Sequence, residues 1–525
     1  MSFAADRRAL GAAYVLLSAI GIIGLSIGSV PFAVDLANHA TRLFIECNAA
    51  DPVLSRMYTV HYDLIPNLAI DLINQPFCGV VDPMTVVRGA MAAAMAGVLL
   101  ATWKIHVLLN QKPNAFVLLA PAMTFNIVTG MGYLNYLIGT FLFLAFVWTM
   151  LRYKVLDCHP VLAFLLPNVF GALLFLCHIF ALGLAGVFLF GMRFARGERQ
   201  DLVRRTVGAG ALTALAFVVP LLMMLFAERS GVGFAYPLPG KIRALWAPML
   251  YSSVRVAGLL TFVWFALFLW ALREKHIRFA ASLRWPLIFL GIFALLLPSA
   301  LLDAVDLDSR SLVAVAFLAI AAIGARPGTR IPSSAQAAAI AVAVATIGLQ
   351  LGTAVPKIVI YERQVAELRG ASARVFRPYD TVLAMANQDA EPLGIQQFYT
   401  HLLSYETRER QIFNPSEFTG KGMQPLRVTP EFVCLDVPAG RPLSYRFAGV
   451  MLDPANGSVL SKPQFANLRY AYRWDRKFDY VLFYDFGKPK SPFPTILQPV
   501  ERGSFFTIYR VKGVSGPPHC QGGAQ

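Results

Sequence analysis

Apolar stretches of about twenty residues alternate with short polar connections over the first two thirds of the chain, and a helix needs about that length to cross ~30 Å of hydrocarbon. Such windows fall near 10–32, 85–108, 115–129, 131–151, 160–177, 178–195, 206–227, 252–272, 285–302, 311–325 and 334–356, and none holds an Asp or Glu. The pattern predicts an α-helical polytopic membrane domain over 1–356 with about eleven transmembrane helices. Arg7 and Arg8 precede the first window, which is long and lacks a small-residue cleavage site. It reads as a retained signal anchor and not a removed signal peptide.

Two regions break the apolar rhythm. One is the polar loop 34–84 after the first window; the other begins near 357, where Arg, Pro, Tyr and Asp recur and no run is long enough to span. Tyr361–Arg369 continues the last window as a juxtamembrane helix, and Tyr379–Ala386 is expected to form another. Phe478–Tyr484 and Ser504–Val511 are rich in β-branched and aromatic residues and are bounded by turn residues, which predicts strands. Residues 357–512 are therefore expected to form a soluble α/β domain, with 513–525 a Gly-, Pro- and Gln-rich tail.

Charge adds an orientation. The chain is 57% hydrophobic and 14% charged, against roughly 25% charged in soluble domains. Positive residues favour the cytoplasmic side. With the N-terminus inside, the inner connections hold Lys112, Arg152, Lys154, Arg193, Arg196, Arg199, Arg204, Arg205, Arg273, Lys275, Arg278, Arg284, Arg326 and Arg330. The outer ones hold Asp51, Asp63, Asp71, Asp82, Glu228, Asp303, Asp306 and Asp308. Loop 34–84 and the C-terminal domain then face outside, and the formal charge of +16 is largely a topology signal, not a nucleic-acid footprint. Cys47, Cys78, Cys434 and Cys520 face the oxidising side, Cys158 the inside, and Cys177 the membrane. A Cys47–Cys78 bridge would close the first loop; the alternative is unpaired packing cysteines.

Candidate chemistry concentrates in loop 34–84. Asp35 is the first charge after the first window, and His39, Arg42 and Glu46 follow at helical spacing, so in a helix the four share one face. Leu36, Leu43 and Phe44 oppose them, as in an amphipathic helix lying in the interface. Asp63, Asn67 and Asp71 repeat the i, i+4, i+8 spacing in a helix expected to begin near Pro66, with Asp63 alternatively its N-cap. The bland alternative for both sets is solvated or helix-supporting charge. Farther on, His178 sits at the junction of two apolar windows, where an ionisable group is either functional or held by partners. Asn126 and Asn135 suit packing between spans. Arg310 suits either a phosphate, which an arginine grips bidentately, or a snorkelling interfacial position. Tyr236, Lys241, Arg243 and Trp246 form a further aromatic and basic segment. No His/Asp spacing suits a metallohydrolase or phosphatase.

The order of a first helix, an outer loop opening on an acid, some ten further spans and an outer α/β domain resembles the GT-C glycosyltransferases. Similar details are Asp35…Asn38-His39…Arg42, Pro66-Asn67-Leu68-Ala69-Ile70-Asp71, Phe125-Asn126…Gly132-Tyr133-Leu134-Asn135-Tyr136…Gly139, His178-Ile-Phe-Ala-Leu-Gly and Asp308-Ser-Arg310. Many members carry two adjacent acids in the first loop, whereas here Asp35 stands alone before Asn38-His39. The resemblance implies a bacterial inner-membrane enzyme that moves a sugar, with inversion, from a polyprenyl-phosphate donor to a glycan, lipid or protein acceptor. Asp35 would be the catalytic base, and His39, Arg42, Asp63, Asn67, Asp71, His178 and Arg310 would contact substrates. A divalent cation would accompany the donor phosphate in some such enzymes; no other cofactor is implied. Two alternatives share the hydrophobicity: a transporter or lipid flippase, which more often carries mid-membrane acids or broken helices, and a non-catalytic envelope scaffold.

Overall fold

The structure, a computed structural model, describes residues 7–110, 112–197, 201–228, 234–236, 238–301, 304–326, 329–387, 396–437, 440–457, 468–486 and 492–514. Arg199, Asp303, Cys520 and the tail beyond 514 lie outside the described residues. The principal helices are α1 (Arg7–Leu25), α2 (Leu36–Cys47), α3 (Ala69–Asn74), α4 (Pro83–Leu109), α5 (Leu134–Arg152), α6 (Pro160–Cys177) and α7 (Ile179–Arg196). They continue as α8 (Leu202–Ala216), α9 (Val218–Phe226), α10 (Leu238–Ala244), α11 (Val254–Arg273), α12 (Arg284–Leu296), α13 (Leu307–Ala321), α14 (Ser333–Val375) and α15 (Leu403–Arg410). The chain divides into two compact units. A helical unit comprises residues 1–27, 64–70 and 88–355, and a mixed unit comprises 28–63, 71–87 and 356–525.

Among the described residues, seven helices are long and apolar enough to cross a membrane: α1, α4, α5, α6, α7, α11 and α14. The pair α8–α9, bent by 70°, makes an eighth if it is one span. The expected eleven are therefore not reproduced by length. The window at 115–129 is split into short pieces, because Asn126 caps a new helix at Ile127–Met131 through a capping box with Thr129. α12 has 13 residues and α13 has 15, so at 1.5 Å per residue each rises only about 20 Å. The α8–α9 bend exposes backbone donors, and in an apolar setting these need partners. Asn168 on α6 supplies one, its side-chain oxygen accepting from the Val219 N–H at 2.8 Å.

The mixed unit is built on a sheet. Its strands are β1 (Tyr58–Val60), β2 (Val382–Ala386), β3 (Leu426–Val428), β4 (Leu443–Ser444), β5 (Tyr480–Tyr484), β6 (Leu497–Arg502) and β7 (Phe506–Val511). Five of them form one sheet in the order β6-β7-β5-β2-β4, with β5–β2 and β2–β4 parallel and the others antiparallel. β2 and β5 are buried along their whole length, which suits central strands covered on both faces. Residues 379–386 thus correct an expectation: the predicted helix is strand β2. A continuous apolar run has no diagnostic period, and pairing with β5 and β4 decides it. β5 and β7 lie where strands were predicted.

Most of the first loop, residues 34–63 and 71–84, groups with this sheet and not with the spans, while 64–70 belongs to the helical unit. Ile45, Leu54, Met57 and Tyr58 share a core with Leu383, Met385, Phe413, Phe432, Trp474 and Phe478, and β1 pairs antiparallel with β3. The division expected at 356 therefore marks only one of the boundaries between the units. Cys47 and Cys78 form a disulfide, as the loop-closing alternative expected. Cys434 is also disulfide-bonded, while Cys158 and Cys177, both in the helical unit, are free.

Candidate functional site

The sequence-predicted residues separate into two clusters, one in each unit. In the mixed unit α2 begins after Asp35, its N-cap. The predicted helix is present, but it is not an interfacial one: Leu36–Leu43, Ile45 and Glu46 are all buried, and α15 packs against it. The polar face is used for internal bonds.

Asp35 keeps part of its side chain exposed, and its Oδ1 lies 3.5 Å from Nε2 of His401. The protonation of His401 follows from its neighbours. Asn38 Oδ1 accepts from the Phe418 N–H at 2.9 Å, which fixes the amide orientation. Its Nδ2 therefore donates, to the Ser416 carbonyl at 2.9 Å and to His401 Nδ1 at 3.2 Å. Nδ1 is an acceptor, so a neutral His401 carries its proton on Nε2 and presents it to Asp35. Burial and Arg441 hold His401 down to about 3, consistent with the neutral form. His39 and His401 both stand edge-on to the Phe418 ring, each 5.2 Å from it. Burial, Arg42 and His401 hold His39 well below the ordinary histidine range, and its Nδ1 has no hydrogen-bond partner. The arrangement presents a carboxylate backed by a neutral imidazole.

One turn further, Arg42 is closed off. Its Nε and Nη2 donate to the two Asp71 oxygens at 2.7 and 3.0 Å, and Nη1 donates to Gln424 at 2.6 Å. Glu46 lies 3.5 Å from Arg42 and accepts from the Tyr62 hydroxyl at 3.1 Å. Burial and the Asp71 charge push Glu46 well above the usual carboxylate range. The Asp63, Asn67, Asp71 series does not share a helix face, because α3 begins only at Ala69. Asp63 pairs with Arg427 at 3.2 Å and caps nothing in α3. Asn67, in the helical unit, takes a left-handed φ of 67° that breaks the expected helix, and its carbonyl accepts from Asn135 Nδ2 at 2.6 Å. Asn135 Oδ1 in turn accepts from the Ile70 N–H, so this asparagine supports packing as expected.

The second cluster lies where α7 and α13 begin. His178 separates α6 from α7 with an extended backbone and caps α7, its Nδ1 facing the Phe180 N–H at 3.3 Å. Its Nε2 faces Arg310 Nη1 at 3.1 Å. Both neighbours are donors, yet a neutral imidazole can accept at only one nitrogen. One contact must therefore go unsatisfied. Arg310 is buried and does not snorkel. Its guanidinium stacks 3.3 Å above the Tyr133 ring, the Tyr133 hydroxyl donates to Asp306 at 2.7 Å, and Arg310 Nε has no hydrogen-bond partner. Among the described residues no carboxylate lies within ion-pair distance of Arg310. Asp308, two residues away, is taken by Lys241 at 2.8 Å and Ser299 at 3.2 Å. Nearby, the Tyr136 ring stands edge-on to His178 at 5.1 Å, and the buried hydroxyls of Tyr136 and Ser311 lie beside each other.

A buried charge lacking a counter-charge costs several kcal/mol, of which a desolvated cation–π contact returns about 2. The remaining deficit is what a bound anion would remove. The start of α13 adds the favourable end of a helix dipole. His401 was missed by sequence reasoning, since 366 residues of chain separate it from Asp35 and no spacing links them. Among the described residues no three His, Cys, Asp or Glu side chains are grouped to hold a metal ion. Compared with models of protein families and with curated proteins, the chain matches none.

Proposed function

We propose that the protein is a membrane glycosyltransferase that takes a sugar from a polyprenyl-phosphate donor and passes it to a cell-envelope acceptor on the outer side of the membrane. The observation that carries this reading is Arg310, a buried cation with no carboxylate partner among the described residues and an unfilled donor. It suits the phosphate that departs with the lipid, where fixed donors are worth most. Asp35 would remove the proton of the acceptor hydroxyl. His401 is a positioning residue, whose Nε2 lies 3.5 Å from one Asp35 carboxylate oxygen and orients that carboxyl. His39, beside Phe418, would border the acceptor, while Arg42 and Asp71 fix α2 through their mutual ion pair. Disulfides in the mixed unit and free thiols in the helical unit support an oxidising compartment for the former.

The bent α8–α9 pair favours a second reading, a lipid flippase, because broken helices are common in transporters. Transfer assays on purified protein in vesicles separate the two, using a panel of radiolabelled undecaprenyl-phosphate hexoses and pentoses with crude envelope as acceptor. The expected result is labelled product that falls about a thousandfold in Asp35→Asn and about a hundredfold in Arg310→Met, with folding retained. Undiminished product from Asp35→Asn would remove the base assignment. No product from any donor, together with lipid movement across the vesicle, would favour the flippase.

A further inference from the structure

The phosphate reading leaves open where the rest of the lipid lies, and the helical unit contains one groove suited to it. α7 and α12 touch where a Cβ on Gly191 would meet the Pro286 backbone at 2.7 Å. Five residues nearer the start of α7, a Cβ on Gly186 would meet nothing within 4 Å. The gap there is an open groove of about 510 Å³, lined by Gly186, Phe190, Phe289, Phe293, Leu297 and Pro298 among others. Its lining residues are all apolar, and its volume falls within the range of small-molecule sites, ~300–1,000 Å³. From Phe289 to Leu297 it runs roughly 12 Å at 1.5 Å per residue.

The two ends differ chemically. At the Phe190–Phe289 end the rings meet edge to face at 5.0 Å, and no charge lines the wall. At the other end the Leu297 carbonyl accepts from Lys241 Nζ, which also pairs with Asp308 on the first turn of α13. Arg310 is on the same turn, and it contacts His178, the N-cap of α7, which forms one groove wall. Gly186 is eight residues along α7 from His178, about 12 Å. An apolar trough that leads to an un-neutralised cation matches a molecule with a hydrocarbon tail and an anionic head.

We infer that the α7–α12 groove receives the hydrocarbon chain of the lipid whose phosphate is taken by Arg310. The inference rests on the phosphate-donor reading for its headgroup, and its test reads tail position instead of sugar transfer. The probe is a polyprenyl phosphate with a photoreactive group in its first isoprene units, added to the full-length protein in phospholipid vesicles and mapped by peptide mass spectrometry. Label is expected on 179–196 and 284–298, displaced by unlabelled polyprenyl phosphate and not by added phosphatidylglycerol. Gly186→Leu fills the groove without a backbone clash and should cut this labelling by at least about tenfold, equivalent to losing two buried methylenes. Gly186→Ala should label as wild type and serves as the folding control. Displacement by phosphatidylglycerol would mean ordinary annular lipid and overturn the inference, as would labelling unchanged by Gly186→Leu. Labelling that persists in a protein without transferase activity would sink the proposed reaction and keep the groove. Transfer without labelling would do the reverse.

Discussion

Two buried arginines in this chain have opposite surroundings. Arg42 has three of its nitrogens occupied by Asp71 and Gln424. Arg310 meets a tyrosine ring and a histidine that is already offered another donor. The sequence presents them alike, each an arginine near an acid at the edge of an apolar window, but among the described residues only the first has a carboxylate bonded to it. A cation with its counter-charge built in holds a fold together, whereas the proposal for Arg310 rests on the cost of burying one without it.

Removing the counter-charge from the first should be the most damaging single change. Asp71→Asn leaves Arg42 buried with only Glu46, 3.5 Å away, as a carboxyl partner, and should destabilise the detergent-solubilised protein by about 3–5 kcal/mol, read as a shift in its denaturation midpoint. Arg42→Met combined with Asp71→Leu should recover most of that loss, since an apolar pair of similar volume often replaces a buried ion pair without penalty. If Asp71→Asn melts like wild type, Arg42 is not closed off and the contrast with Arg310 fails.

Arg310→Met should behave the other way. It takes away a charge with no carboxylate partner among the described residues, so stability should hold or rise by up to about 3 kcal/mol while transfer falls. A loss of several kcal/mol would show that Arg310 also has a structural partner, and its role as an anion receptor would go. Added inorganic phosphate should raise the melting temperature of wild type and not of Arg310→Met, because a ligand that binds only the folded state stabilises it.

The difference between the arginines was not legible in the chain. Helical spacing placed Asp35, His39, Arg42 and Glu46 on one face, and α2 forms there, because such periodicity is local. The partners of that face, His401 and Gln424, come from beyond residue 400 and leave no local trace. Leu36, Leu43 and Phe44, expected as the back of an interfacial helix, face inward: Leu36 and Leu43 are buried, and Phe44 packs on the core of the C-terminal sheet, which Ile45, Leu54 and Met57 also join. Asn67 was counted into a helix on spacing alone; its left-handed backbone interrupts it. The apolar windows were legible as helices, since a run of twenty side chains without an acid admits few structures, but only seven or eight of the described helices are long enough to span.

The mixed unit also stores neutral acids. Burial raises Glu406, Glu417 and Asp436 to about 7 each. A carboxyl raised this way keeps its proton when folded and releases it when unfolded, so its contribution is full below about pH 4.5 and is lost as pH rises to 7. For Glu417, which accepts from Asn414 at 2.9 Å, the loss between pH 5 and 7 is about 2–3 kcal/mol. His401, held down to about 3, acts in the opposite sense below its ordinary value near 6.5. Glu417→Gln should therefore lessen the fall in stability from pH 5 to 7 by about that amount, with the other two acids keeping their share. An unchanged pH slope would mean that Glu417 is ionised in the fold.

The finest test lies inside the Arg42 knot. Glu46 Oε1 accepts no hydrogen bond, Arg42 Nε standing 3.5 Å from it, and Asp71 sits within hydrogen-bond reach. Two carboxylates so placed share a proton, and burial with the Asp71 charge assigns it to Glu46. Glu46 is then neutral, and a glutamine reproduces both its shape and its hydrogen toward Asp71. Glu46→Gln should cost under about 1 kcal/mol, against the 3–5 expected of Asp71→Asn, though both remove a carboxylate from the same arginine. Equal costs would mean that Arg42 is neutralised by two half-bonded acids. Unequal costs in the expected order would show that a single carboxylate closes Arg42, the partner that Arg310 lacks.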